Sequence, residues 1–256
     1  MIIDAHTHLF PEGVDKVGTA EMLIQEMDEL SVDKAVILGI YPRVDCRFIL
    51  EQAVIHPDRL LGFASVNPND GEEAVDLLDH CLENYQVYGL KLHPSMQTFS
   101  ADDADLLEPI LRRVEEVHIP VLMHCWGWFG QEGFADPIRI MNLAKGFPEI
   151  TFIMAHCGGM RFMDLLPLSR SRAMGVLNNL YVDLSIILFD LIDSPLWPFL
   201  RWTLKTIGLD RVMMGSDFPD FALSDTINLT EKLGFEDAEM REIMGGNAAR
   251  LYGITA

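Results

Sequence analysis

Eight short apolar runs rich in β-branched residues recur along the chain, and this repetition limits the available folds more than any other feature. Their starts lie 26 to 32 residues apart, and they cover residues 2–9, 34–40, 60–68, 87–94, 119–126, 150–159, 180–186 and 211–219. Continuous apolar runs of this length are typical of strands buried on both faces, as in parallel sheets. The runs therefore predict eight parallel strands.

Amphipathic stretches between the runs predict helices. Residues 20–30 carry an apolar stripe. Ser100 is a candidate N-cap for a helix that reaches residue 117, and Asp136 followed by Pro137 predicts another helix start. A last helix is predicted over 237–251, ahead of a glycine that suits its end.

Strand and helix thus alternate eight times, which predicts an α/β fold. The count of eight favours a closed (β/α)₈ TIM barrel, with residues 1–256 as a single domain. An open doubly wound sheet is the alternative. The glycine motif GxGxxG of its commonest form does not follow the first run.

The charge of the chain bears on its partners and its location. With 39 acidic and 19 basic residues, the formal net charge is −20. Nucleic acids and anionic membrane surfaces attract basic proteins, so neither is an expected partner. The first residues do not resemble a signal peptide, and no apolar run approaches the roughly 20 residues that span a bilayer. The four cysteines form no CxxC pair, and we expect buried thiols in a cytoplasmic protein.

Polar residues capable of metal binding stand where predicted strands end. Five of the eight histidines do so, together with one aspartate: His6, His8, His93, His124, His156 and Asp217. Barrel enzymes carry their reactive residues at the C-terminal ends of the strands. This clustering therefore indicates an active site.

His6 and His8 form the most informative pair. Residues i and i+2 of a strand point to the same face, so both imidazoles can converge on one ion. Taken alone, such a pair more often marks ordinary hydrogen-bonded interior histidines. In a closed barrel, however, strand eight lies beside strand one and brings Asp217 within reach. Nitrogen-rich ligation with one carboxylate suits zinc, with manganese, iron and nickel as alternatives.

The segments DAHTHLF, GLKLHP, LMHCW, MAHCGG, MGSDFP and GGNAARLYG follow one another along nearly the whole chain. Together they resemble the amidohydrolase superfamily, in particular the amidohydrolase-2 branch that contains aminocarboxymuconate semialdehyde decarboxylase and many uncharacterised hydrolases. The resemblance implies one divalent metal ion, with His156 beside it, held by His6, His8, His124 and Asp217. Asp183 is expected either to orient a neighbouring ligand or to pair with an arginine.

Roles for the other residues follow from charge and from this resemblance. Asp217 is expected to accept a proton from metal-activated water, and His156 to polarise the substrate, to act as a second base or to be merely structural. Lys91, His93 and Trp126 are expected to bind substrate, Lys91 as a cation for an anionic group. In binuclear amidohydrolases a carboxylated lysine on this strand bridges two ions. The GxKxHP context here resembles the branch that typically holds one metal, where the lysine is not a ligand, and this resemblance favours a single ion.

The most direct functional interpretation is a hydrolase of amide, lactone or ester bonds in a small, anionic substrate. A non-oxidative decarboxylase with the same metal site is the alternative. Lyases of the branch that the chain resembles tend to have an extended segment after the first strand. The segment of about 25 residues between the first two strands here is short, which favours hydrolysis. A deoxyribonuclease-like enzyme conflicts with the net charge of −20. A barrel that binds metal or ligand without catalysis is the remaining interpretation.

Specificity is expected to reside in the loops at the same ends of the strands. These loops are residues 10–19, 41–46, 94–100, 126–135 and 158–171. Trp126 and Trp128 are candidates for an apolar wall in the fourth of them. The apolar residues Trp197, Pro198, Phe199 and Trp202 are consistent with contact between the subunits of a homo-oligomer or with packing on the barrel.

Overall fold

The computed structural model describes residues 1–14, 16–126 and 133–255. Eight parallel strands form one sheet, in which each strand pairs with its neighbours in sequence. The strands are β1 (Ile3–His8), β2 (Lys34–Leu38), β3 (Leu60–Ser65), β4 (Gly89–Leu92), β5 (Val121–Met123), β6 (Phe152–Met154), β7 (Leu180–Asp183) and β8 (Val212–Met213). Each strand lies within one of the eight apolar runs, which confirms the predicted parallel strands.

Backbone hydrogen bonds join β1 to the chain just after β8 and bring the sheet round into a barrel. The Asp217 N–H donates to the His6 carbonyl at 2.7 Å, and the His8 N–H donates to the Phe218 carbonyl at 2.7 Å. This confirms the (β/α)₈ barrel and excludes the open doubly wound sheet. It also places Asp217 beside His6, as the predicted closure requires.

Helices follow the strands in the alternation that the sequence predicts. They are α1 (Ala20–Leu30), α2 (Cys46–Ile55), α3 (Glu72–Asn84), α4 (Pro94–Gln97), α5 (Ala104–Val117), α6 (Pro137–Gly146), α7 (Pro167–Ala173), α8 (Ile186–Leu191), α9 (Trp197–Ile207), α10 (Leu223–Glu231), α11 (Asp237–Arg241) and α12 (Asn247–Leu251). A π-helical turn, Glu242–Gly246, connects α11 to α12. The predicted last helix is therefore a run of three helical segments.

The first residues of two helices test the predicted caps. Asp136 caps α6 with Pro137 at its first position, as predicted. The prediction that Ser100 caps α5 was wrong, because Asp103 accepts the hydrogen bond of the Leu106 N–H at that end. The Ser100 hydroxyl donates to a neighbouring carboxylate instead. Asp and Ser are about equally good N-caps, so the side chain nearer the first helical turn takes the position.

An irregularity in β1 positions the candidate site. The pairing of β1 with β2 contains one extra residue between Asp4 and Thr7. On the N-terminal side of this bulge, Ile3 packs in the apolar cluster inside the barrel. A bulge re-aims the side chains that follow it. His6 and His8 therefore also face the barrel interior. In a strand without a bulge they would point to the opposite face from Ile3, because they lie an odd number of residues after it.

The surface and the cysteines bear on the remaining expectations. Phe199 and Trp202 on α9 are 51% and 52% exposed, so their part in a homo-oligomer stays a prediction. All four cysteines are buried and free, as predicted. Within the described part of the chain, no helix combines the length and the apolar character needed to cross a bilayer.

Candidate metal centre

Two imidazole nitrogens from β1 face each other at the end of the barrel. His6 Nε2 and His8 Nε2 are 3.2 Å apart. Asp217 Oδ1 lies 3.4 Å from the first nitrogen and 3.2 Å from the second. Ligands of a tetrahedral ion, each about 2.0–2.1 Å from the metal, are separated from one another by about 3.3 Å. The three atoms therefore have the mutual spacing that one divalent cation requires.

Hydrogen bonds determine which nitrogen of each ring carries the proton. His8 Nδ1 lies 3.1 Å from the Leu38 carbonyl, which can only accept. His6 Nδ1 lies 3.0 Å from Asp183 Oδ2. Both rings therefore hold their proton on Nδ1 and direct an Nε2 lone pair at each other. Facing lone pairs beside a carboxylate repel one another unless a cation lies between them, so this donor set fits a metal ion.

Asp183 contacts the imidazole of His6. The sequence left open whether Asp183 orients a neighbouring ligand or pairs with an arginine, and this contact agrees with the first of these. Burial raises the pKa of Asp183, but the neighbouring His6 and His156 and the hydroxyl of Ser185 outweigh it and lower that pKa to about 2. An ionised carboxylate that holds Nδ1–H makes His6 a better metal ligand.

His156 joins this group from the end of β6. His6, His156 and Asp217 each offer one ligand atom within 4.8 Å of the others. The His156 ring also contacts Ser185, with Nδ1 2.7 Å from Oγ. The φ angle is +56° at His156 and +62° at Asp217, in the left-handed region that non-glycine residues rarely adopt. Strained backbone of this kind concentrates at functional sites.

His124 lies at the edge of the group rather than within it. Its Nδ1 is 3.1 Å from His156 Nε2. Its Nε2 is buried and has no hydrogen-bond partner among the described residues. Buried polar atoms are normally paired, so a nitrogen of this kind is suited to contact a proton donor or a cation. The group of His6, His156 and Asp217 contains neither His8 nor His124, so the ligand roles of His8 and His124 stay predictions.

Lys91 reaches the site from β4. It is completely buried, and its Nζ lies 3.4 Å from His6 Nε2. Burial lowers the pKa of Lys91 to about 8, although Asp217 and Asp183 act in the opposite direction. A buried lysine with a lowered pKa beside a candidate metal ligand is an unusual group, and it marks this face of the barrel as part of the site.

The other predicted substrate contacts surround the same rings. His93 stacks on His124 with the ring centroids 3.8 Å apart. Trp126 meets His156 edge-on, with centroids 6.2 Å apart. A cavity of about 230 Å³ opens beside Trp126 and is lined in part by Met160 and Arg161. The second predicted wall residue, Trp128, lies outside the described residues.

Burial sets the charge state of the donors. It lowers the pKa of His156 to about 3 and lowers the pKa of His8 and His124, so these imidazoles are neutral. Burial alone would raise the pKa of Asp217. The contacts of this carboxylate with His8, His6 and His156 outweigh that effect and lower the pKa. Neutral imidazoles and an ionised carboxylate are the forms that bind cations.

Two residues of the site were missed by the sequence reasoning. Ser185 connects His156 to Asp183 through its hydroxyl. A Cβ on Gly215 would lie 2.9 Å from the Cβ of His6, so glycine lets the chain just after β8 approach β1 this closely. The sequence carries a weak signal for each, since Ser185 stands two residues after Asp183 and Gly215 two residues before Asp217.

A (β/α)₈ barrel with histidine and aspartate donors at the ends of its strands defines a class, the metal-dependent barrel enzymes. The sequence profile of the amidohydrolase-2 family, described as amidohydrolase, matches residues 3–254. The chain therefore belongs to this family, whose members are metal-dependent enzymes. This confirms the resemblance and argues against a barrel without catalysis.

Solved structures share the fold across their whole length. An uncharacterised TIM-barrel protein from Bordetella bronchiseptica is 19% identical with a TM-score of 0.82, covering 99% of this chain and 98% of the other. 5-Carboxyvanillate decarboxylase from Sphingomonas paucimobilis is 16% identical with a TM-score of 0.73, covering 99% of both chains. A probable 2-pyrone-4,6-dicarboxylic acid hydrolase from Acinetobacter baumannii is 20% identical with a TM-score of 0.70, covering 98% of this chain and 99% of the other. No curated protein matches the chain significantly.

Proposed function

We propose that the chain is a hydrolase that uses one divalent metal ion, with zinc as the expected ion, on a small anionic substrate. The observation that carries the proposal is the contact of His6 Nε2, His8 Nε2 and Asp217 Oδ1 at 3.2 to 3.4 Å. A cation bound there supplies the Lewis acidity that makes water nucleophilic near neutral pH. His6, His8 and Asp217 would hold it, with His124 as the fourth proposed ligand.

The chain's own residues account for the remaining steps. Asp217 has two carboxylate oxygens, so one can contact the cation while the other accepts a proton from the attacking water. Asp217 then delivers this proton to the leaving group. Lys91 supplies positive charge for the anionic group of the substrate. His93 and Trp126 line the place where the substrate lies and keep bulk water away from it.

The substrate bond is proposed to be an amide, a lactone or an ester. Likeness in fold to the probable 2-pyrone-4,6-dicarboxylic acid hydrolase makes carboxylated unsaturated lactones the first compounds to test. A non-oxidative decarboxylase is the second candidate, because the fold also matches 5-carboxyvanillate decarboxylase over 99% of both chains. Only α1 and short loops separate β1 from β2, which favours hydrolysis.

Proton and carbon dioxide measurements separate the two candidates. Hydrolysis of a lactone at neutral pH consumes water and releases a proton. Decarboxylation of a carboxylate releases carbon dioxide and takes up a proton. The zinc-loaded protein is assayed on carboxylated lactones and on carboxylated phenols with a pH indicator and a carbon dioxide electrode. We expect proton release without carbon dioxide, whereas carbon dioxide as the product would replace the hydrolase with the decarboxylase.

A variant of Asp217 tests the catalytic assignment. Asp217→Asn removes the proton acceptor but keeps the shape, and we expect kcat on the identified substrate to fall by about 100-fold or more. The matched control is Asp210→Asn, which changes an exposed aspartate that pairs with Arg172 on the surface. We expect the control to retain the activity of the unmodified protein. Equal activity in both variants would mean that Asp217 is not the base.

A further inference from the structure

Ser185 is a buried serine with unusual backbone geometry. It follows β7 and precedes α8, and none of its surface is exposed. Its φ is +27° and its ψ is −124°, far from the conformations that serine ordinarily adopts. Serine at such a helix start often caps the helix, but this hydroxyl makes no capping hydrogen bond. The strained backbone therefore directs the side chain elsewhere.

The hydroxyl lies between a carboxylate and an imidazole. Ser185 Oγ donates to Asp183 Oδ1 at 2.5 Å, and His156 Nδ1 lies 2.7 Å from Ser185 Oγ. The same carboxylate also accepts the His156 backbone N–H at 3.0 Å. Its second oxygen faces His6 Nδ1. Asp183 is thus surrounded by donors and acts as an acceptor for all of them.

The direction of these hydrogen bonds determines where the proton of His156 resides. A hydroxyl has a single hydrogen, and that hydrogen points at Asp183. Ser185 Oγ can then only accept from His156, so the ring must carry its proton on Nδ1. Nε2 is left with a lone pair, which can accept a hydrogen bond from His124 Nδ1, 3.1 Å away. His156 is also one of the three candidate ligands, with His6 and Asp217.

We propose that Ser185 is a positioning residue that holds His156 in the Nδ1–H tautomer. His156 Nε2 then acts as a proton acceptor or as a ligand, and it does not polarise the substrate by donating a hydrogen bond. Asp183 fixes the Nδ1 proton of His6 directly and that of His156 through Ser185, so one carboxylate sets both tautomers. The part that concerns turnover rests on the proposed hydrolase function, and the part that concerns the tautomer does not.

Nitrogen-15 NMR reads the tautomer directly. Protein labelled with ¹⁵N-histidine and loaded with zinc is examined by long-range ¹H–¹⁵N correlation, with the His156 signals assigned through a His156→Gln sample. In the unmodified protein we expect the proton on Nδ1. A proton on Nε2 would overturn the proposal without any variant, so the test does not depend on how a variant folds.

Three variants separate the hydroxyl from the fold. Ser185→Ala should lose the pure Nδ1–H pattern, and Ser185→Thr, which keeps a hydroxyl, should retain it. The control Ser95→Ala removes another buried serine hydroxyl, one that donates to the Trp126 carbonyl, and should leave the His156 pattern unchanged. An unaltered Nδ1–H pattern in Ser185→Ala would overturn the proposal.

Activity is measured separately in the same samples. With an identified substrate, Ser185→Ala should lower kcat by about 10- to 100-fold, and Ser185→Thr should restore most of it. A protein that neither binds zinc nor hydrolyses the test compounds contradicts the proposed function alone. The tautomer result contradicts the positioning role alone, so the two failures are distinguishable.

Discussion

Lys91 shows how strongly the surroundings of one residue bear on its chemistry. Its ammonium group is fully buried 3.4 Å from His6 Nε2, and burial lowers its pKa to about 8. Two functions are consistent with this position. A protonated lysine attracts an anionic substrate, and a carboxylated lysine bridges two metal ions. We expect the first, with a single ion at His6, His8 and Asp217.

Metal content and a Lys91 variant decide between these functions. We expect about one zinc per chain in the unmodified protein and in Lys91→Met. Since the substrate anion loses its cation, KM should rise by about tenfold, which corresponds to about 1.4 kcal/mol. Elemental analysis counts the metal, and ¹³C NMR after equilibration with labelled bicarbonate detects any carboxylated lysine.

The control for this variant is Lys34→Met, which removes a lysine of β2 that donates to the Asp58 carbonyl instead. It should change neither the metal content nor KM. Two metal ions per chain in the unmodified protein, together with a carbamate signal that disappears in Lys91→Met, would contradict the single-ion centre.

Among the elements, one buried glutamine connects the loops that follow three consecutive strands. The amide nitrogen of Gln97 donates to the Tyr41 carbonyl at 2.9 Å and to the Val66 carbonyl at 2.8 Å. Its Oε1 accepts the His93 N–H at 2.8 Å. These contacts hold the chain after β2, β3 and β4 in one arrangement. They also hold the backbone of His93, whose ring stacks on His124.

Replacing this side chain should loosen the loops. Gln97→Leu leaves one backbone donor and two backbone acceptors without partners, so we expect the free energy of unfolding to fall by about 2–3 kcal/mol. Urea denaturation measures the change. Gln25→Leu, on the exposed face of α1, is the control and should stay within about 0.5 kcal/mol of the unmodified protein. Similar stabilities for the two variants would show that the connection contributes little.

At the scale of the whole molecule, the candidate centre lies where the barrel closes. Asp217 follows β8 and contacts two histidines of β1, which are separated from it by more than two hundred residues of chain. A cation there joins the first strand to the last. The unfolded chain contains no preformed site, so a cation binds only the folded barrel. Its binding free energy therefore adds to the free energy of unfolding.

Thermal unfolding tests this coupling. With free zinc at about 100 times its Kd, the added stability is about 2.7 kcal/mol, and a domain of this size then melts about 5–10 °C higher. Removal of the ion with a chelator should lower Tm by that amount, and restored zinc should reverse it. Asp217→Asn should show a smaller shift. A Tm that responds to neither chelator nor zinc would contradict a metal site at the barrel closure.

The prediction from sequence was most complete for the strands. Each strand was predicted from an apolar run of residues that are adjacent in the chain, and each run contains the observed strand. The spacing of His6 and His8 was informative for the same reason, since residues two apart in a strand share a face. The helix start at Asp103 was missed because several polar residues in 100–105 compete for the cap, and local preference does not rank them.

What the sequence by itself determined is therefore the barrel, its order of strands, and the set of histidines and aspartates at their ends. The tertiary structure alone decided which atoms meet. The bulge in β1 aims His6 inward, Asp183 selects the tautomer of that ring, and Ser185 does the same for His156. These contacts join residues up to 177 positions apart. They depend on how the strands register around a closed barrel, and no local pattern of side chains encodes that arrangement.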